Sequence, residues 1–525
     1  GSYSYTTNRV GNEVSTDLNS TNETAGDRRI YLEAMVDYNR TFGRHDVNAM
    51  LLYNQDELVN NVPGNNLINS LPKRKQGLAG RLSYAYDGKY MAEVNMGYNG
   101  SENFAKGHRW GFFPSIALGY NISEESFFEP LRKVITSMKL RGSWGLVGND
   151  QIGGERFIYM PTINLSGKGF TTGIDQNYGL SGPVYTRYEN NSITWEVGEK
   201  INLGIDLQLL NSLNIVVDIF RETRRDIFQK KGTIPTYLGT GNTDVFGNLA
   251  EMKNQGLDLS IDYNKAFSKD FYMNFKGTFT YAHNEITKYD EAPKYAFQSK
   301  VGQSANVSQG YLSNGLFLDE AEIDRYNQQM GSTLGAGDIK YLNVSNMHGY
   351  GDDIVDVDDW TWIGNPTVPE IVYGFGPSFK YKNWDFSFFF QGVAKTSLFM
   401  SGFHPFGDNS LRNVLQFVAN DRWSPTNQNV DAKYPRLTRK TSLNNTNPGN
   451  SGRTSDYWMR DGSFLKLKNM ELGYTFKRMR FYISGSNLLT FSKFDLWDPE
   501  QGGGSGLKYP TQRVFNVGFQ MTFNN

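Results

Sequence analysis

RVFNVGFQMTF (513–523) is the stretch whose reading decides the fold. Phe515, Val517, Phe519, Met521 and Phe523 fall on one face of an extended strand. Val514, Asn516, Gly518, Gln520 and Thr522 fall on the other, because strand side chains alternate. About eleven residues, apolar on one side and closing on an aromatic, is the length a tilted strand needs to cross a bilayer. The alternation recurs. Ile30, Leu32, Ala34, Val36 and Tyr38 share a face, as do Tyr90, Ala92, Val94, Met96 and Tyr98, and Ile201, Leu203, Ile205, Leu207 and Leu209. Leu257, Leu259, Ile261 and Tyr263 repeat the pattern, followed by Trp384, Phe386, Phe388 and Phe390. A soluble β-sandwich also alternates, so one such dyad decides nothing by itself.

The connections discriminate. Tight ones carry turn residues: Gly43-Arg44, Asp87-Gly88, Asn211-Ser212, Ser268-Lys269-Asp270, Lys382-Asn383 and Lys477-Arg478. Long ones, rich in Gly, Asn, Ser and aromatics, span 148–192, 224–250, 289–368, 400–460 and 491–510. Counting back from a periplasmic C-terminus, short and long connections alternate through about sixteen candidate strands, as an outer-membrane barrel requires. NISEESFFEPLRK (121–133) reads as a longer periplasmic link with a short helix. GSYSYTTNRV at the start reads as a weak strand with no plug-like domain before it.

Composition agrees. The 525 residues include 31 Tyr, 35 Phe and 9 Trp, yet mean hydropathy is -0.54. A polar chain rich in Tyr and Phe suits a wet lumen between aromatic girdles. No run is apolar enough for a membrane helix. A net charge of -1 gives no reason to invoke nucleic acid, and the absence of cysteine excludes disulfides.

Blocks in consistent order then carry a resemblance. They include GKYMAEVNMGYNGSENFAKGHRWGFFPSIALGYNISEESFF (88–128), MKLRGSWGLVGND (138–150), ITWEVGEKINLGIDLQLLNSLNIVVDIFRETRRDIF (193–228) and GNLAEMKNQGLDLSIDY (247–263). GDIKY (337–341), IGNPTVPEIVYGFG (363–376), FLKLKNMELGYTF (464–476) and the block from Phe481 to Phe523 follow. The chain resembles the C-terminal barrel part of SusC/RagA-like TonB-dependent transporters of the Bacteroidota outer membrane. The resemblance implies an all-β, transmembrane antiparallel barrel of about twenty-two strands, to which residues 1–525 would contribute about sixteen, with the plug outside this stretch. It implies active import of an oligosaccharide, or next an oligopeptide. The implied partners are a SusD-like surface lipoprotein, TonB acting through the plug, and outer-membrane lipid including lipopolysaccharide. A passive porin and a SusC-like scaffold in a surface complex are the alternative readings.

No enzymatic constellation emerges. Asp498 and Glu500 flank Pro499 in a loop, which lacks the fixed carboxylate separation of a catalytic pair, and the resemblance reads them as a loop-folding motif. His45, His108, His283, His348 and His404 show no metal spacing, and no cofactor is expected. In GYGDDIVDVDDW (349–360), Asp352, Asp353, Asp356, Asp358 and Asp359 form the one candidate for a structural Ca²⁺. Met347, Gly349 and Gly351 occupy the places of the first three ligands of a calcium loop, so a solvated acidic loop is the plainer reading. GGGSG (502–506) does not open a helix, and LysArgLys at 73–75 reads as a solvated loop tip. Trp360, Trp362 and Trp497 are the candidate substrate contacts: they fall in outer loops, where indoles stack on sugar or peptide faces, or else pack the loops together or rest in the interfacial girdle.

Overall fold

The structure, a computed structural model, describes residues 26–60, 68, 71–153, 155–235, 237, 243–326, 328–329, 334–400, 415–437 and 454–523. Among them, fifteen strands form one continuous antiparallel sheet. In order they are Asp27–Phe42, His45–Asn60, Lys73–Tyr86, Tyr90–Ser101, Trp110–Asn121, Ile135–Asn149, Glu196–Leu209 and Leu213–Lys230. Phe246–Ala266, Phe271–Lys288, Ile371–Tyr381, Trp384–Ala394, Phe464–Phe476, Met479–Ser492 and Val514–Met521 complete the sheet. The weak strand expected in 1–10 lies outside the described residues. All six tight turns fall where the sequence puts them, and they alternate with long connections.

Register shows why the alternation matters. Ala49, Leu82, Val94, Ile116, Trp144 and Ile201 are successive partners along one outward row. Leu203, Ile219, Leu257, Tyr281 and Ile371 continue the outward face farther round. Leu472, Ile483 and Val517 carry it to the last strand. The apolar dyads of strands far apart in sequence therefore merge into one belt, whose side chains are exposed or half-exposed. A belt of exposed Leu, Val and Ile faces lipid. Aromatic pairs edge it: Tyr90 stacked on Tyr120 at 5.2 Å and Phe481 tilted against Phe519 at 5.1 Å on the short-turn side, Tyr98 stacked on Trp110 at 4.8 Å on the other.

Two expectations are overturned and a third is refined. The connection expected at 224–250 shrinks, because its flanking strands run to Lys230 and start at Phe246. There Glu222, Arg224 and Arg225 make both faces polar, and ion pairs from Arg224 to Glu196 (3.3 Å) and Arg225 to Glu199 (3.6 Å) lace the ladder. A strand standing above the membrane needs no apolar face, so periodicity cannot reveal it. LysArgLys at 73–75 opens a strand rather than a loop tip, with Arg74 on Glu57 at 2.7 Å and Lys75 on Asp150 at 2.8 Å. The link after Asn121 is helical but 3₁₀, in two turns, Ile122–Glu124 and Ser126–Leu131.

The long connections fold together. Loops 289–370, 395–463 and 493–513 share a buried core that includes Tyr311, Leu316, Tyr341, Met400, Trp423, Trp458 and Phe494. A second small core joins 102–109 to 150–195 through Phe104, Ile152, Ile158 and Trp195. The result is a cap with dry cores of its own on one end of the wall.

Candidate functional site: the lumen wall and the loop cap

Inside the wall, two arginines each bridge neighbouring strands. Arg141 meets Asp218 through both terminal nitrogens at 2.6 Å and Asp206 through Nε at 3.0 Å. Gly204 stands between Arg141 and Asp218 in register, and a Cβ there would lie 2.6 Å from the guanidinium carbon. Glycine leaves the guanidinium room to cross a whole strand. The device repeats: Arg480 binds Asp385 and Glu471 (2.6 Å to the latter), and a Cβ on Gly473 would collide with both Asp385 and Arg480. Sequence reasoning missed both clusters. Their only linear trace is a glycine on the polar face of a strand whose partner strands carry opposite charges. Between these clusters the wall offers hydrogen-bonding groups such as Asn274, Ser378, Ser387 and Asn469, with the Lys276 ammonium among them.

In the cap, the carboxylates around Pro499 acquire a definite task. The Lys466 ammonium, 1% exposed, lies between Asp498 and Glu500 (2.8 Å to the latter), while Lys468 reaches the other oxygen of Glu500 at 2.6 Å. A buried ammonium needs such partners, since desolvation alone would discharge it. Burial works against ionising Asp498. The Lys466 bond, the Glu500 N–H and Thr511 outweigh it, so its carboxyl sits below the ordinary range. Glu500 is likewise lowered, burial being overcome by Lys466 and Lys468. The motif fastens the last outer loop to the wall, and no reacting geometry surrounds it. Arg436 fastens the two larger loops in the same way, gripping buried Asp338 at 2.5 and 2.9 Å.

The acidic loop turns its oxygens inward to donors. Asp359 accepts from Ser345 N (2.9 Å), Ser345 Oγ (3.0 Å) and Asp356 N (2.8 Å), and Asp356 caps Asp358 N at 2.8 Å. Asp352 accepts from Ile354 N at 3.2 Å, Asp358 pairs with Lys294, and Asp353 is exposed. This donor set does not fit a calcium site: N–H and O–H groups and the Lys294 ammonium already engage the oxygens that a calcium ion would need. Among the described residues no group of three or more His, Cys, Asp or Glu is arranged to hold a metal ion.

The three tryptophans are half-buried. Trp360 packs on Tyr311, Trp362 donates to Ser299 O at 2.8 Å, and Trp497 donates to Gly502 O at 3.0 Å and meets Phe494 edge-on. Of the histidines, His45 bonds Tyr84 at 2.7 Å and His283 bonds Glu370 at 2.5 Å, while His404 lies outside the described residues. His348 belongs to an aromatic ladder that the sequence did not single out. It stacks on Phe297 at 4.7 Å, Phe297 on Tyr295 at 5.5 Å, and Tyr295 meets the exposed Tyr350 at 4.2 Å. Its members are some fifty residues apart in sequence, which hides it.

Comparison with known proteins settles the kinship. The family described as TonB dependent receptor-like, beta-barrel, matches residues 1–488. The chain belongs to this family. The family is one of receptors and transporters, not enzymes, and its barrels lie in the outer membrane. TonB-dependent receptor SusC of Bacteroides thetaiotaomicron is 28% identical over 471 residues, covering 85% of this chain and 43% of its own. TonB-dependent receptor P3 of Formosa agariphila is 26% identical over 481 residues, covering 85% and 45%. The chain thus spans about half the length of the curated relatives it matches. Among solved structures, the RagAB peptide transporter superposes with a TM-score of 0.68 at 19% identity, covering 95% of this chain and 56% of that one, which shows the shared fold.

Proposed function

We propose that this chain supplies most of the barrel wall and the outer cap of a SusC/RagA-like importer that is driven through TonB. The observation that carries this reading is the joining of one lipid-facing belt, continuous across fifteen strands, to a cap folded from three outer loops around one core. A general porin has no need of a cap with its own core, whereas a transporter that captures a large solute uses a built outer surface. In the relatives' additional length there is room for a plug that couples to TonB. A SusD-like surface lipoprotein is the partner expected on the cap.

An oligosaccharide is the favoured cargo and an oligopeptide the second. Arg141 and Arg480 are neutralised by carboxylates of the wall, and the amides and hydroxyls of Asn274, Ser378, Ser387 and Asn469 suit a hydroxyl-rich chain. The half-exposed ladder of Tyr295, Phe297, His348 and Tyr350 offers rings to sugar faces, with Trp360 and Trp362 bracing the loop that presents it and Trp497 bracing the last loop. The peptide reading draws on the RagAB peptide transporter, whose likeness is one of fold.

Uptake by whole cells tests the proposal. Labelled oligosaccharides and oligopeptides are offered to cells with and without the gene, before and after an uncoupler collapses the proton-motive force. Import that needs both the gene and the proton-motive force is expected. Import that survives the uncoupler would make the protein a porin, and unchanged import without the gene would leave it a scaffold.

A further inference from the structure

The connection 122–134 is the longest at the short-turn end of the wall among the described residues, and nothing in solute import accounts for its surface. Phe128 is buried and anchors it, yet Phe127 is 68% exposed, with Leu131 and Val134 more than half exposed. Phe127 and Leu131 belong to the 3₁₀ turn Ser126–Leu131 and Val134 follows it closely, so three large apolar groups stand exposed on one short link. Val134 O accepts the Leu210 N–H at 2.8 Å, which adds the exposed Leu210 of the neighbouring turn to the same patch.

The attachment point shows which way the segment hangs. Tyr90 belongs to the outward row, stacked on Tyr120, and its hydroxyl donates to Glu125 Oε1 at 2.6 Å. Lys89 also approaches Glu125, at 3.7 Å. The segment is therefore tied to the lipid-facing edge of the wall, beside the stacked Tyr90–Tyr120 pair. Arg132, held by its Nε bond to Ser123 O at 2.7 Å, and the exposed Lys133 place two cations beside it. Exposed apolar residues hung from the lipid-facing edge and bordered by cations fit the headgroup boundary of a bilayer.

We propose that 122–134 is an interfacial anchor. Phe127, Leu131, Val134 and Leu210 enter the headgroup–acyl boundary of the periplasmic leaflet, while Arg132 and Lys133 meet anionic phospholipid headgroups. The occupant is phospholipid rather than a periplasmic protein. This rests on the wall spanning a membrane and is independent of the cargo.

These 525 residues hold no cysteine, and any cysteine elsewhere in the full-length protein is first replaced by serine so that single labels can be placed. Phe127→Cys and Leu131→Cys, introduced into the full-length protein in vesicles of phosphatidylethanolamine and phosphatidylglycerol, carry a nitroxide. Collision with oxygen and with a water-soluble nickel chelate reports depth. Val517→Cys in the belt is the lipid standard and Asp353→Cys in the cap the water standard. Labels at 127 and 131 should favour oxygen several-fold over the Asp353 standard and approach Val517. Values equal to the Asp353 standard, or shielding from both reagents, overturn the anchor. Raising the phosphatidylglycerol fraction should deepen the 131 label, and Lys133→Glu should abolish that response. A response unchanged by Lys133→Glu removes the role given to headgroup charge.

Discussion

Val517, in the wall, is 88% exposed, whereas Trp458, in the cap, is 0% exposed. Both are large apolar residues in a strand-and-turn structure, and both are where physics wants them. The wall turns its apolar face to lipid and keeps polar groups inside, so its greasy surface is spread over a belt. The cap does the reverse, hiding Trp458, Tyr311 and Met400 from water in a compact core. The two regions also spend their charges differently. In the wall, Arg141 and Arg480 bridge neighbouring strands across glycines, while Lys466 fastens the last outer loop to the wall and Arg436 pulls two loops of the cap together. A membrane solvates one region and water the other, so the same residue types carry opposite meanings.

The contrast can be broken by substitution. Trp458→Ala should cost the cap about 3–5 kcal/mol as a core cavity, read as proteolysis of the outer loops while the wall remains resistant. A wall that unfolds along with the cap would show that the two are one cooperative unit. Lys466→Met should cost a similar sum, about 3–5 kcal/mol, by stranding Asp498 beside a vacated cation, and should release the 493–513 loop to protease. In the unaltered protein the same loop responds to acid. The Asp498 and Glu500 carboxyls are lowered by folding, so their contribution is present above the ordinary carboxylate values of 3.8 and 4.5. It fades as pH falls below those values through the lowered ones, and loop cleavage should rise there and be flat between pH 6 and pH 8, roughly the range where both groups stay ionised.

Smaller effects sharpen the comparison. Leu203→Arg puts a charge in the belt and should cost about 2–4 kcal/mol of membrane stability, measured by urea unfolding from vesicles, with the cap unaffected. A comparable cost in detergent micelles and in vesicles of any thickness would argue that Leu203 is packed against protein. Tyr457→Phe is the mildest. Its hydroxyl donates to Ala432 O at 2.6 Å, and burial pushes the phenol's pKa up, so losing this bond should cost about 1 kcal/mol of cap stability. The Tyr457→Phe melting curve should move only in the cap transition.

The wall was legible because a membrane imposes a local rule. Each spanning strand must alternate over its whole length, so Phe515 to Phe523 announce their role without knowledge of any neighbour, and Asp87-Gly88 or Lys477-Arg478 mark the turns. Family kinship was legible too, because ordered blocks such as GYNISEESFF and FLKLKNMELGYTF survive as linear text. Where no solvent boundary forces a pattern, the signal disappears. The outer thirds of Leu213–Lys230 and Phe246–Ala266 read as loop because both their faces are wet. Trp360, Trp362 and Trp497 could be placed in the cap from sequence, but whether they pack or protrude depended on Tyr311, Ser299 and Gly502 arriving from elsewhere in the loops.

By itself, then, the sequence determined the strand faces, the turns, the sorting of short and long connections to opposite ends, and the family. Each depends on residues within a dozen positions of one another or on their linear order. Only the tertiary structure decided that Lys466 would sit between Asp498 and Glu500, that Gly204 would let Arg141 cross to Asp218, and that the acidic loop would satisfy itself with N–H donors. Those outcomes depend on groups tens of residues apart meeting within about 3 Å, the reach of a hydrogen bond, and no local pattern encodes such a distance.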